Sequence, residues 1–301
     1  MDFCHLINFC DKEQVEYQID GKTAPLTTIN VGNLASLIVF PQNLLIFCRI
    51  LDIIVSKKYK FAIIGNGSNC YFNDYYNGVV VVTKKLNDIS VNNNKITAMC
   101  GADITSVARL ALCHLLSGIE FAYGIPGTIG GATYMNAEAF GSAFENIIEK
   151  SLVYDIHDLT IKEINWQEHH FKKKQTVFSD AKNFILLQST MNFCKDTYDN
   201  IYVRMITNFE KRIEKQPLDF PSAGSAFIRP NYHKPASMLI DEAGLKGCKI
   251  GGAEVSKKHA GFIINSGNAS ASDINNLLLH IKAEIYKKFN VELHEEIIYL
   301  N

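Results

Sequence analysis

The sequence predicts a folded chain that mixes helices and strands and divides into two parts. Three features predict it. Of the 301 residues, 47% are hydrophobic, 11% aromatic and 20% charged, a globular composition far from the polar signature of disorder. The early chain reads as strand (36–40), helix (44–55), strand (61–64) and then the loop Gly65-Asn66-Gly67-Ser68-Asn69. The later chain returns to short strands and closes with a long amphipathic helix and one more strand.

Taken in order, residues 1–24 form an N-terminal segment of unread role. The 44–55 helix contains Arg49 and Asp52 and is too short to cross a bilayer. Strands are predicted at 79–83 and 96–100. A helix over 104–116 carries apolar residues at helical spacing and stops at Gly118, where a helix end favours glycine. Between Gly124 and Gly141 the residues Pro126, Gly127, Gly130 and Gly131 leave no space for a long regular element, so a shaped loop is predicted there. Such long loops usually serve a ligand. Strands follow at 152–154 and 184–188, and a charged helix over 209–215 is cut by Pro217. The domain boundary is placed near 196–202, giving parts 25–196 and 197–301. Beyond it come a loop over 221–230, a helix over 235–243, a strand over 261–265 and a helix over 273–289. That last helix sets Ile274, Leu277, Leu278, Ile281, Ile285 and Phe289 on one stripe behind Ser272 as N-cap. A strand over 296–300 completes the order. No internal repeat and no Pro/Gly linker interrupts the chain.

Charge and cysteine usage narrow the function. Thirty Lys and Arg against 31 Asp and Glu give a formal net charge of -1, so no global field favours nucleic acid or an anionic membrane. Any anionic ligand must be held by local groups. The eight cysteines, Cys4, Cys10, Cys48, Cys70, Cys100, Cys113, Cys194 and Cys248, show no CxxC pair and read as reduced, mostly buried thiols of a cytosolic protein. Residues 1–10 lack the basic start of a signal peptide, so a cytoplasmic location is expected. His169-His170 and the other histidines have no metal-ligand spacing, and no metal is predicted.

Two glycine-rich loops carry the first chemistry. Gly65, Asn66, Gly67, Ser68 and Asn69 follow an apolar strand, and their small side chains expose successive backbone N–H groups to an anion such as a pyrophosphate. The segment is neither GxGxxG nor a Walker loop, because no Lys-Ser/Thr follows. Alone it would read as a tight surface turn. Gly124, Ile125, Pro126, Gly127, Thr128, Ile129, Gly130 and Gly131 form a second donor run, followed by Met135-Asn136-Ala137, and the two runs together imply an extended ligand. So much glycine, at about 0.5–1 kcal/mol per residue of lost conformational freedom, favours a functional loop over a plain turn.

These residues, with Gly118-Ile119-Glu120-Phe121, Pro221-Ser222-Ala223-Gly224-Ser225-Ala226-Phe227, Gly244-Leu245-Lys246-Gly247, Gly251-Gly252-Ala253, Val255-Ser256-Lys257-Lys258-His259 and Glu295-Glu296-Ile297, resemble the UDP-N-acetylenolpyruvoylglucosamine reductase (UDP-N-acetylmuramate dehydrogenase) family, in its shorter type. The matches keep the family's order from about residue 27 to residue 300. The resemblance implies an α+β fold: an N-terminal FAD-binding part of the PCMH, vanillyl-alcohol-oxidase-like kind in two subdomains, then a C-terminal α+β substrate-binding domain. It implies noncovalent FAD, NADPH as reductant, and hydride transfer to the enolpyruvyl ether of a UDP-sugar in peptidoglycan precursor synthesis. Flavin phosphates would lie against the two glycine loops and Asn136. Ser225 matches the family's proton donor and Glu296 its catalytic glutamate. Lys215 falls where the family places a substrate-binding lysine before a proline, and Arg229, which also flanks Ser225 in sequence, is a candidate anion contact for the UDP-sugar.

Four positions depart from the family pattern. Aligned on Phe178, Lys174 stands where the family has a carboxylate-bracing arginine and Lys173 replaces its tyrosine, so charge survives but the planar fork does not; Lys172 or Lys173 would serve if the alignment shifts. Glu138 replaces a glycine near the expected flavin, where it would clash or repel phosphates unless it points outward. Asn33 replaces a second early glycine, a mild change because Asn tolerates positive φ. The alternative readings are a catalytically impaired relative that still binds flavin or UDP-sugar, and a related flavin oxidase, which Ser225 and Glu296 disfavour. His259 lies in a matched motif without an assigned step.

Overall fold

The computed structural model describes residues 2–180 and 183–301. The chain forms two compact units, one of residues 1–18, 37–66 and 78–211, the other of residues 19–36, 67–77 and 212–301.

In the first unit the early pattern folds as strand, helix and strand. The helix Leu44–Ser56 is capped by Asn43, whose Oδ1 accepts the Ile46 N–H at 2.9 Å, satisfying one of the orphan donors of a first turn. It buries Ile46, Phe47, Ile50, Leu51 and Ile54 with Leu37, Val39, Val79 and Val81, and with Leu6 and Cys10 of the helix Cys4–Lys12. Each such fully buried aliphatic side chain contributes roughly 1.5–3 kcal/mol. The strand Phe61–Ile64 runs parallel to the next one, Phe61 opposite Val79 and Ile64 opposite Val82. A five-stranded antiparallel sheet follows in the order Thr160–Asn165, Ile148–Asp155, Phe184–Asn192, Lys95–Met99, Ile89–Asn92. Against it packs the helix Ile104–Cys113, capped by Asp103 Oδ2 accepting the Ser106 N–H at 2.8 Å. This helix ends three residues before the expected 116, because Leu115 already turns into the left-handed region at φ +58 ahead of Gly118 at φ +143.

The charged helix is longer than the sequence suggests. It runs Tyr198–Lys215, and its first half is fixed by Ile201 and Met205, four residues apart and both buried. A reading anchored on Pro217 sees the end of this helix and misses its weakly apolar start.

In the second unit an antiparallel sheet has the order Ser222–Ser225, Phe262–Asn265, Ala253–Val255, Lys249–Ile250. The expected loop over 221–230 therefore begins as a strand, with an irregular register between Ser222 and Ser225 that Gly224 permits at φ +75. The helix Ala271–Phe289 buries Ile274, Leu277, Leu278, Ile281 and Ile285 beside the short helix Ala236–Glu242. Its cap is Ser270 rather than Ser272. Ser270 Oγ accepts the Asp273 N–H at 3.0 Å while Asp273 Oδ2 accepts the Ser270 N–H at 2.9 Å, a reciprocal capping box. The final strand Ile298–Leu300 pairs in parallel with Cys70–Phe72.

The cysteines are free, and burial divides them: Cys10, Cys48, Cys70 and Cys100 are buried, Cys248 is half-buried, and Cys4, Cys113 and Cys194 are exposed. The expectation of mostly buried thiols thus holds for half of them, since Cys113 and Cys194 fall at the outer ends of their elements. Among the described residues no helix is long and apolar enough to cross a membrane.

Candidate active site

The first unit joins the end of its parallel strand to the second glycine loop. A β-carbon at Gly65 would overlap Thr128 Oγ1 and stand 2.8 Å from Thr128 Cγ2, so only glycine allows the approach. Thr128 in turn caps the helix Ile129–Tyr134, its Oγ1 accepting the Gly131 N–H at 3.3 Å. A β-carbon at Gly130 would come within 2.6 Å of the Cys100 carbonyl oxygen, which accepts the Gly130 N–H at 2.8 Å. The loop is pinned further by Ile104 N–H donating to Gly127 O at 3.1 Å and Ile129 N–H donating to Ala102 O at 2.8 Å. In this unit the N–H groups of Asn66, Gly127 and Thr128 donate to no group among the described residues; in the other unit the same holds by itself for Gly67, Ser68 and Asn69. Rigid main chain with idle donors fits a polyanionic group such as a nucleotide pyrophosphate.

Beyond this loop, Asn136 adopts φ +46 and is buried. Its Nδ2 donates to Lys172 O at 3.1 Å, its Oδ1 accepts the Glu145 N–H at 3.0 Å and its own N–H donates to Thr133 O at 3.3 Å, so its side chain is committed within the protein. Glu138 is exposed, in the short strand Glu138–Ala139 paired with Ser142–Ala143, so its charge points to solvent. Lys174 lies at the tip of a hairpin closed by Lys172 and Gln175, half-buried and at φ +59.

In the second unit the backbone sets Ser225, Glu296 and Asn69 side by side. Ser225 ends its strand opposite Phe262. The next residue, Ala226, accepts the Glu296 N–H at 2.9 Å, and Phe227 bridges Glu295. Asn69 Nδ2 donates to the Glu296 carbonyl at 3.0 Å, while the Ile298 N–H donates to Asn69 O at 2.9 Å. A β-carbon at Gly224 would stand 3.8 Å from Ser68 O and 3.9 Å from Asn69 Oδ1. Ser68, Asn69, Ser225 and Glu296 are all half-buried, neither sealed from a ligand nor free to drift. Gly67 is buried against Leu26 O and Thr27, with φ +60.

Lys215 ends its helix and is exposed, and Arg229 is exposed beyond the Ser225 strand. Lys258 Nζ donates to Ile213 O at 2.7 Å, which ties the 256–259 turn to the last turn of the same helix. His259 Nδ1 accepts the Gly261 N–H at 3.1 Å, and Ser256 Oγ accepts the N–H groups of Lys258 and His259. Burial, with Lys246 and Lys215 acting through space, pushes the His259 pKa down, so its imidazole is neutral. Asn33 is exposed with ordinary φ, and Gly32 before it carries the positive angle, φ +130. Sequence reasoning missed two contributors here: the Asn69 side chain as a clamp on Glu296, and the fully buried Thr176 beside the Lys172–Gln175 hairpin. Neither has a local signal, since each is defined by distant neighbours. Among the described residues no three His, Cys, Asp or Glu gather as metal ligands.

Comparison with known proteins agrees with this geometry. Residues 35–155 match the FAD binding domain family, and residues 216–300 match the family described as UDP-N-acetylenolpyruvoylglucosamine reductase, C-terminal domain. A protein of Borreliella burgdorferi named UDP-N-acetylenolpyruvoylglucosamine reductase is 39% identical over 298 residues, 98% of this chain and 98% of that one. One of the same name from Caldanaerobacter subterraneus subsp. tengcongensis is 40% identical over 273 residues, 90% of this chain and 89% of that one. The crystal structure of the Thermus caldophilus reductase superposes with a TM-score of 0.79 at 24% identity, covering 95% of this chain and 99% of that one, which establishes the shared fold. With two relatives this similar over nearly their whole length, the chain belongs to the UDP-N-acetylenolpyruvoylglucosamine reductase family.

Proposed function

We propose that this chain reduces UDP-N-acetyl-3-O-(1-carboxyvinyl)-glucosamine to UDP-N-acetylmuramate in peptidoglycan precursor synthesis, with FAD as cofactor and NADPH as reductant. The near-full-length family match supports the reaction. The structural observation that supports it is the backbone ladder setting Ser225 beside Glu296, with Asn69 clamped to the latter.

When bound, noncovalently, FAD would supply the hydride chemistry that links NADPH to carbon 3 of the enolpyruvyl group. Residues 25–196 would hold the cofactor: the main-chain donors of Asn66, Gly67, Ser68, Asn69, Gly127 and Thr128 would serve its phosphates, while Gly65, Gly124, Ile125, Pro126, Gly130, Gly131 and Asn136 shape the backbone that presents them, the N–H groups of Gly124, Ile125, Gly130 and Gly131 being bonded within the protein. Residues 197–301 hold the UDP-sugar, with Lys215 and Arg229 against its anionic groups. Negative charge develops at carbon 2 and its carboxylate as the hydride arrives, and Lys174 compensates it as a point charge. Ser225 Oγ delivers the proton to carbon 2. A serine hydroxyl is a weak acid, so the step needs a basic enolate and a polarising neighbour, the place Glu296 takes on the adjoining backbone. The protein works in the cytoplasm, without nucleic acid or membrane as partner.

Anaerobic half-reactions test this. NADPH should bleach the flavin of wild type and Ser225→Ala alike, and the enolpyruvyl substrate should reoxidise only the wild type. A protein that stays colourless with added FAD, or a Ser225→Ala variant that reoxidises normally, would refute the assignment.

A further inference from the structure

The hairpin that carries Lys174 is tied at its base to the region around the helix Ile129–Tyr134. Lys172 and Gln175 exchange backbone hydrogen bonds, Lys172 N–H to Gln175 O at 2.9 Å and Gln175 N–H to Lys172 O at 3.2 Å, leaving Lys173 and Lys174 as the two turn residues. Lys174 sits at φ +59, a conformation that costs a residue with a β-carbon roughly 1–2 kcal/mol. The turn has none of the Gly, Asn or Asp that would stabilise it locally.

Two buried side chains connect the hairpin to the C-terminal end of the helix Ile129–Tyr134. Asn136 Nδ2 donates to Lys172 O at 3.1 Å, and its amide is oriented by Oδ1 accepting the Glu145 N–H. Thr176, one residue past the hairpin, donates through Oγ1 to Tyr134 O at 2.6 Å and accepts the Phe178 N–H at 3.3 Å. Asn136 is 3% exposed and Thr176 is 0% exposed, so Thr176 has no access to a ligand and can act only through the backbone it holds. The same short helix is capped at its other end by Thr128 in the second glycine loop. One rigid piece thus spans the glycine loop and the base of the lysine turn.

We propose that Asn136 and Thr176 are positioning residues of the reduction: they hold the strained Lys173–Lys174 turn in place, so that the lysine cation is preorganised for the carboxylate on which charge develops. The inference rests on the assignment of Lys174 to that carboxylate. Preorganisation matters because a cation that must first be ordered stabilises the charge less.

The test uses the FAD-loaded protein and its two half-reactions. Asn136→Asp keeps the acceptor for Glu145 and turns the donor facing Lys172 O into an acceptor; Thr176→Val keeps the shape and loses the hydroxyl; Thr176→Ser restores it. Flavin reduction by NADPH should be unchanged in Thr176→Val and Thr176→Ser. Reoxidation by the enolpyruvyl substrate should slow about tenfold in Asn136→Asp and Thr176→Val, the scale of one lost hydrogen bond, and stay within about twofold of wild type in Thr176→Ser. In a Lys174→Ala background, where reoxidation is already slow, neither substitution should slow it further. Additive losses in that background would overturn the inference and leave the Lys174 assignment standing. Wild-type reoxidation in Lys174→Ala would overturn the assignment, and the inference with it. Should Asn136→Asp fail to retain FAD, Thr176→Val read against Thr176→Ser decides alone.

Discussion

Replacing Gly65 by alanine tests whether the two glycine loops are locked together by contact. The new methyl would overlap Thr128 Oγ1 and lie 2.8 Å from Cγ2 and 3.0 Å from Cβ, so Thr128 must rotate away. Two costs follow. Overpacking of this kind is worth about 1–3 kcal/mol. Rotation of Thr128 also breaks its cap on the Gly131 N–H, worth about 1 kcal/mol. The sum is about 2–4 kcal/mol, which lowers Tm by about 5–15 °C in a cooperative unit of 150–250 residues. Thermal unfolding of Gly65→Ala and Thr128→Ala, singly and together, measures it, with FAD titration alongside. In the double variant only the alanine β-carbon remains at 3.0 Å and the cap is lost just once, so the combined loss should fall short of the sum by about 1–3 kcal/mol. Additive losses, or a Gly65→Ala protein with wild-type Tm and FAD affinity, would refute the proposed contact.

Other expectations concern the second unit and the thiols. Asp273→Ala removes the acceptor for the Ser270 and Gly252 N–H groups and should destabilise by about 1–2 kcal/mol in denaturant unfolding at neutral pH. Those bonds hold the Asp273 pKa below 3.8, so its contribution is complete above 3.8 and disappears as pH falls through the lowered folded value; the gap between variant and wild type should close there. His259 behaves oppositely. Its folded pKa lies below 6.5, mainly through burial, so the folded state resists protonation and loses stability as pH drops below 6.5, and His259→Gln should flatten that part of the stability profile. Thiol labelling of the folded protein, mapped by mass spectrometry, should modify exposed Cys4, Cys113 and Cys194. Cys10, Cys70 and Cys100, each pushed up to about 12 by burial, and Cys48, pushed up to about 11, should react only on unfolding.

Local periodicity made much of the fold legible. The Phe61–Ile64 strand and the helices Leu44–Ser56 and Ala271–Phe289 carry enough apolar spacing to be seen without a partner. The start of Tyr198–Lys215 does not, because its buried positions, Ile201 and Met205, are separated by polar residues and gain meaning only from the core they enter. The cap of the last helix was misplaced by two residues because Ser270 and Ser272 both suit the role, and the reciprocal bond to Asp273 decides between them. At the candidate site the glycine loops are readable as loops, whereas the pairing of Ser225 with Glu296 is not. Its bonds join residues some seventy positions apart, so only the family resemblance links the two in the sequence. The Lys172–Gln175 hairpin was invisible for a related reason: its turn residues are two lysines, and the bonds at its base, from Asn136 to Lys172 O and from Thr176 to Tyr134 O, join residues distant in sequence.

The clamp between Asn69 and Glu296 spans 227 positions of sequence and has a consequence for biosynthesis. Closing so long a loop costs entropy before its contacts form, so this step comes late. On the ribosome, the strand Cys70–Phe72 is made early and waits with an open edge until Ile298 emerges to pair with it. That edge carries Tyr71 and Phe72, both almost wholly buried in the finished fold, and an apolar edge left open invites pairing with other nascent chains. Yield of soluble protein should therefore depend on how quickly the final strand is delivered, and on whatever shields that edge in the meantime.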